Sequence, residues 1–294
     1  MVKYYEASGK FDVQAILYFL LISIIALPIL GLAYAYCIWY IPFIYINFII
    51  AGVLGFVIAW LVRKFVVKLG KVRNAKLTLI FGFLAGLICM YFHWAVWVDL
   101  VINVGESYGN SRIGVTVSNI EILQVFNLAA DPGILFDLIG EINKYGTWGI
   151  RSATVSGVFL SIIWIVELII VVGIATIIPI ASSKEPFCEL DNQWFTEKIL
   201  PPVNYIENRP EFLNNLEQLN GEVFKDIAPI KNLEGDHSVL TLYTSKKGES
   251  YLSAKTMKAK KNKKGELEFD ETVFVEYIYL NSELTNHLSE TLAS

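Results

Sequence analysis

VQAILYFLLISIIALPILGLAYAYCIWYIPFIYINFIIAGVLGFVIAWLV, residues 13–62, carries no charged side chain. As one helix it would be about 75 Å long at about 1.5 Å per residue, whereas a bilayer's hydrocarbon core is about 30 Å thick. The run must fold back on itself. We place one span at 15–37 and a second at 44–66, with the turn near Tyr40–Pro42, because proline lacks a backbone donor. Pro28 lies inside span one and is expected to kink it.

Working outward, two further apolar stretches of membrane-crossing length follow, at 77–101 and 155–181. The connection between spans two and three, with its flanks, holds Arg63, Lys64, Lys68, Lys71, Arg73 and Lys76 and no acid. In the segment 102–154 acids outnumber bases. The positive-inside bias then makes the first connection cytoplasmic and the second external, and an even number of spans returns both termini to the cytoplasm. Aromatic residues gather where headgroups are expected: Trp39, Tyr40, Phe43 and Tyr45 at one turn, and Trp94, Trp97 and Trp148 towards the outer face.

Composition agrees with two solvents. Apolar residues make up 54% and charged residues 18%, against about 25% charged in an ordinary soluble protein. The charge is concentrated after residue 183. The formal net charge of −4 argues against a nucleic-acid partner. Cys37, Cys89 and Cys188 are too dispersed for a disulfide framework or a metal spacing. The flank Met1–Asp12 is not distinctly basic, and the first apolar segment is too long for a cleaved signal peptide.

The segment 102–154 is more than a turn. Ile113–Val117 alternates weakly as a short strand. Asn119–Leu128 is apolar enough to lie on a membrane surface. Asp131 and Pro132 are a helix cap and first position, and Gly146 is the stop. Ile134, Leu135, Leu138, Ile139 and Ile142 fall on one face, suited to packing on the ends of the spans or to dipping into the lipid interface.

Residues 183–294 read as a small cytoplasmic α+β domain. Glu185–Lys198 is expected to be a short helix, and Pro210 begins another, with Phe212, Leu213, Leu216 and Leu219 on one face and Gly221 at its end. Strand patterns follow at Ser238–Thr244, Ser250–Ala259 and Glu266–Leu280, with lysine–glycine turns between them. In the last, Val273, Val275, Tyr277 and Tyr279 alternate with Phe274, Glu276 and Ile278. Ser282–Leu292 completes a three-stranded antiparallel meander with helices. The expected fold is thus an α-helical membrane protein, residues 1–182, with this domain at 183–294.

Few residues carry chemical signal. Glu167 lies midway along span four, and a carboxylate there costs at least about 3 kcal/mol on insertion scales. His93 in span three is its candidate partner. The pair suits an ion or proton path, or else a polar clamp that sets helix register. Gly82 with Gly86, and Gly52 with Gly55, are small-residue faces for close helix packing. Lys258, Lys260, Lys261, Lys263 and Lys264 suit either contact with anionic lipid or a solvated hairpin facing Glu266, Glu268, Asp270 and Glu271. Cys188 stands in half of a zinc-knuckle spacing with no second half, so no metal is expected.

No catalytic residue is assigned, because no nucleophile elbow, zinc-protease helix, phosphate loop or dinucleotide fingerprint is present. No cofactor is expected. The leading expectation is a non-enzymatic protein of a bacterial cytoplasmic membrane whose cytoplasmic domain binds or positions a partner, a second protein or another copy of the chain. The alternative is a small transporter or channel subunit that uses Glu167 and His93. A third reading is a membrane enzyme acting on lipid, for which the sequence shows only scattered polar residues.

Overall fold

The computed structural model describes residues 4–41, 43–109, 114–146, 148–150, 153–231 and 233–293. It divides into two compact units, one of Gly9–Lys184 and one of Glu185–Ser294 joined by the N-terminal residues up to Ser8.

Four helices of the first unit are long and apolar enough to cross a membrane: α1 (Gln14–Tyr40), α2 (Ile44–Leu69), α3 (Ala75–Ile102) and, after the segment described below, a fourth at Gly157–Ser183. Helix α1 runs on through Pro28 as one 27-residue helix. A π-helical turn at Ile22–Ala26 precedes the proline, and in it the Leu27 amide donates to the Ile22 carbonyl. The expected turn near Tyr40–Pro42 falls between α1 and α2, with Pro42 itself outside the described residues. Helix α3 begins two residues before the expected span because the Asn74 side chain accepts from the Leu77 amide and caps it.

Between α3 and the fourth long helix the chain forms a hairpin of β1 (Val104–Gly109) and β2 (Gly114–Ser118). Ile113, the expected start of the second strand, lies outside the described residues. Two helices then meet at 106°, α4 (Ile122–Ala130) and α5 (Pro132–Tyr145). Asp131 caps α5 by accepting from the Ile134 amide, and Gly146, at φ 75°, ends it. Leu135 is buried, and Leu138, Ile139 and Ile142 pack beside it against the end of α3. A second short hairpin, β3 (Trp148–Ile150) with β4 (Ala153–Val155), leads into α6 (Gly157–Ser183). The Trp148 side chain is outside the described residues.

In this bundle α3 lies against α1 and α6, and α6 also lies against α2. The separation of α3 and α6 is set by glycine. A Cβ on Gly82 would fall 2.4 Å from the Ala175 carbonyl oxygen, and one on Gly86 would fall 3.0 Å from Val172 Cα. A Cβ on Gly55 would meet Ile174 at 2.9 Å. Gly52 meets nothing within 4 Å, so the packing face of α2 runs through Gly55 and not through the expected glycine pair.

The loop after α2 finds its counter-charge outside itself. It holds no acid of its own, but Asp12, just before α1, lies 3.5 Å from buried Arg73 and 3.9 Å from Lys71.

The second unit is rich in β-structure. Where a helix was expected at Glu185–Lys198, the chain forms β5 (Phe187–Cys188), β6 (Gln193–Trp194) and β7 (Thr196–Ile199). Phe187 and Trp194 stack edge to face at 5.1 Å across the first pair. The aromatic residues here pack across strands and follow no helical stripe. With β8 (Val203–Asn204), α7 (Arg209–Glu217), β9 (His237–Thr244), β10 (Ser250–Lys261), β11 (Leu267–Leu280) and α8 (Ser282–Ala293), the main sheet has five strands and not three. Its order is β11-β10-β9-β7, and β8 also pairs with β9. Leu219, not Gly221, adopts the left-handed conformation after α7, at φ 52°.

The alternation expected along β11 is broken by two bulges. Ala254 pairs with Val275 and Leu252 with Ile278, so Glu276 and Tyr277 together oppose Ser253. Phe274 is a second extra residue, between the Val273 and Val275 pairings. The bulges change the phase: Val275, Ile278 and Leu280 reach the core with Leu240, Leu252 and Leu284, whereas Tyr277 turns to the opposite face beside Tyr243. Tyr277 is strained, at φ 54°. Its amide donates to Ser253 Oγ and its carbonyl accepts from the Tyr5 amide. Burial, with Glu197 and Glu185 nearby, pushes the Tyr243 hydroxyl up to about 12, so it stays neutral at physiological pH.

The glycine contacts generate a paired prediction. Gly82→Ala should lower the thermal unfolding midpoint of the detergent-solubilised protein, by the equivalent of about 1–3 kcal/mol of overpacking. Gly52→Ala should leave it unchanged or raise it slightly, since alanine is the better helix former. Equal shifts in the two variants would contradict backbone contact at Gly82.

Candidate functional site

Three polar side chains, one on each of three helices, are buried at similar depth in the bundle. Gly31 makes the approach of α1 to α3 close: a Cβ there would lie 2.8 Å from the Cys89 carbonyl oxygen and the His93 amide. Tyr34, one turn further along α1, sets its ring edge against His93, with centroids 4.7 Å apart. Glu167 of α6 lies within electrostatic reach of the Tyr34 hydroxyl. Tyr34, His93 and Glu167 are each at most 4% exposed.

The expected difference in depth between His93 and Glu167 largely vanishes in the observed helices. Measured from Ile102 and Gly157, the ends that lie on the same side, they sit about 13 and about 15 Å along α3 and α6 at about 1.5 Å per residue. Trp164, one turn before Glu167, wedges against Trp94 at 4.7 Å and Trp97 at 5.7 Å, which ties the two helices together beside this layer.

No hydrogen bond joins His93 to Glu167. The His93 Nδ1 and the Tyr34 hydroxyl are buried without a hydrogen-bond partner among the described residues. Native interiors leave few such groups, and each is costly, at about 1–3 kcal/mol. The layer therefore offers an imidazole nitrogen and a phenol whose bonding capacity the protein does not consume, with the Glu167 carboxylate in electrostatic reach of the phenol. Together they can hold a proton or a small cation, the carboxylate supplying charge and the other two supplying lone pairs.

Asp99, a few residues further along α3, is a useful contrast. It is fully buried, yet each of its oxygens is used. Oδ2 accepts from the Glu121 amide at 3.0 Å, at the start of α4, and Oδ1 accepts from Asn103 Nδ2 at 3.1 Å. Asn103 also donates to Gln124, and Ser118 donates to the Leu100 and Asn103 carbonyls. Asp99 anchors the segment that follows α3 and takes no part in the polar layer.

The other sequence-marked residues lie elsewhere. Lys258, Lys260 and Lys261 are on the exposed end of β10, and Lys263 and Lys264 are in the turn to β11. Lys260 pairs with Asp270 at 2.5 Å and Lys255 with Glu271 at 3.0 Å, exposed pairs of small energetic weight. Cys188 is buried and donates to Glu249 at 3.8 Å. Among the described residues no three His, Cys, Asp or Glu side chains converge as metal ligands would.

The residue that sequence reasoning missed is Tyr34. Its signal was the spacing Gly31-x-x-Tyr34, a small residue that admits a neighbouring helix one turn before a hydroxyl. No family model, curated protein or solved structure matches this chain.

The unpartnered phenol is directly testable. Tyr34→Phe should leave thermal stability in detergent unchanged or raised, since it removes a buried hydroxyl without a partner. Tyr34→Ala should cost about 3–5 kcal/mol through the cavity it leaves. A Tyr34→Phe loss as large as that of Tyr34→Ala would mean that the hydroxyl is bonded after all.

Proposed function

We propose that this chain is an integral membrane protein that crosses the bilayer four times, and that the Tyr34–His93–Glu167 layer takes a proton or a small cation within a small transporter or channel subunit. One observation carries the reading: the layer gathers a carboxylate, an imidazole and a phenol from three helices and leaves the imidazole nitrogen and the phenol without partners. A clamp that merely fixes helix register would join these groups by hydrogen bonds, and no such bond joins His93 to Glu167. Ionisable residues kept at depth in a bundle are associated with ion pathways and proton relays.

The basic residues at the end of α2 and in the loop after it favour an orientation with that loop, and both chain ends, in the cytoplasm, as in a bacterial cytoplasmic membrane. A second reading gives the sheet-rich unit, as a cytoplasmic α+β domain, the work of binding a protein partner or a second copy of the chain. It is favoured by that unit's own apolar core, built on Leu216, Leu240, Leu252, Ile278 and Leu288.

Purified protein in liposomes should dissipate an imposed proton or monovalent-cation gradient, read with a pH-sensitive or cation-sensitive dye. Glu167→Gln, correctly folded, should reduce that flux about tenfold or more, the equivalent of about 1.4 kcal/mol. A wild-type protein that carries no flux, or a Glu167→Gln variant as active as wild type, would overturn the transport reading. Orientation is checked separately, in a background with the three native cysteines replaced. A single cysteine at Lys247 should react with an impermeant maleimide from the cytoplasmic side, and one at Lys144 from the other side.

A further inference from the structure

The path of α4 and α5 creates a pocket on the flank of the bundle. Helix α4 starts beside Asp99, where Glu121 is held, and ends lower along α3, where the Tyr91 hydroxyl donates to the Ala129 carbonyl at 2.8 Å. It thus descends along α3 by about 12 Å, the length of eight residues of that helix. After the bend of 106°, α5 climbs back, and Asn143 donates to Ser161 near the start of α6. The two helices form a V that re-enters the bundle's flank. Phe136, near the tip, overhangs α3 beside Tyr91, with ring centroids 6.5 Å apart.

Beneath that overhang lies a cavity of about 470 Å³ between α3, α5 and α6, walled by Leu87, Met90, Phe92, Trp94, Phe136 and Leu168. Its size is that of a ligand pocket, about 300–1,000 Å³. No charged side chain lines it, and its tyrosine hydroxyl, that of Tyr91, is already committed to Ala129. A charged or strongly polar ligand would lose its hydration there without compensation. Met90, 2% exposed, adapts its unbranched side chain to a flexible occupant.

The surroundings of the pocket identify the occupant. Phe83 and Leu84, one turn before Leu87 and Ile88 on α3, and Ile165, one turn before Leu168 on α6, are large apolar side chains left exposed, as is Phe136 of the pocket's own wall. The pocket therefore opens onto the continuous apolar surface that the long helices would turn to lipid. We propose that it binds one acyl chain of a phospholipid from the surrounding bilayer, held between α3 and α6 under the overhang of Phe136. The proposal rests on the membrane-spanning reading above and is independent of the transport reading.

The test uses the full-length protein in phosphatidylcholine vesicles containing a phospholipid with a diazirine in its acyl chain. After photolysis, adducts are mapped by mass spectrometry. Adducts on residues 87–94 should exceed those on the exposed face of α1, at Leu17–Ile25, by about fivefold, the ratio that about 1 kcal/mol of preference produces. Leu168→Trp, which fills the pocket, and Phe136→Ala, which removes its exposed wall, should each abolish that excess while α1 remains labelled. Labelling of 87–94 no denser than that of α1, or an excess that survives both substitutions, would overturn the site. Absence of labelling on α1 as well would defeat the membrane reading, and the site with it.

Discussion

The backbone contact of α3 with α6 at Gly82 and Gly86 is the constraint on which the rest of the bundle depends. In hydrocarbon, helices gain nothing from hiding apolar side chains from lipid tails, so association relies on close van der Waals packing. Small residues supply it by letting one backbone approach another. Once α3 and α6 are held at this distance, Trp164 reaches Trp94 and Trp97, and Glu167 enters the layer of His93. Gly31 does the same for α1 against α3 and brings in Tyr34. The polar layer is thus a consequence of where glycine permits contact.

Two kinds of buried polar group separate within the same unit. Asp99 and its neighbours are satisfied: each oxygen of the carboxylate accepts a hydrogen bond, and the effect is to fasten α4 to α3. Tyr34 and His93 are not satisfied, although they are as deeply buried. Burial alone therefore does not determine whether a polar group has its bonding capacity spent by the protein. The same logic applies to the flank pocket, where the Tyr91 hydroxyl is committed and the remaining surface suits only an apolar occupant.

In the sheet-rich unit, one strained residue sits in the sheet itself, at the Tyr277 bulge. A non-glycine residue at φ 54° is unfavourable by about 1–3 kcal/mol, yet the extra residue lets Val275 and Ile278 both face the core. It also turns the Tyr277 carbonyl towards the Tyr5 amide, so that the first residues of the chain complete this unit.

Much of the architecture was legible in order along the chain. Apolar runs of sufficient length determined four helices able to cross a bilayer, Asp131 and Pro132 determined where α5 begins, and Ser250–Ala259 fell within β10. These features depend on residues a few positions apart, and hydropathy, capping and turn chemistry report on them directly. The failures share a different cause. The end of Glu185–Lys198 became strand because β9, some forty residues later, offers its edge to Thr196–Ile199, and its start because Phe187–Cys188 pairs with Gln193–Trp194. The alternation of β11 was lost to bulges opposite β10. Tyr34 went unread in the sequence, and only the close approach at Gly31 brings it against His93. The sequence by itself thus determined which segments are apolar enough to be long helices and which stretches alternate as strands. Only the tertiary structure decided which polar groups meet, which remain unpartnered, and where a cavity opens, because those outcomes depend on contacts between residues distant in the chain.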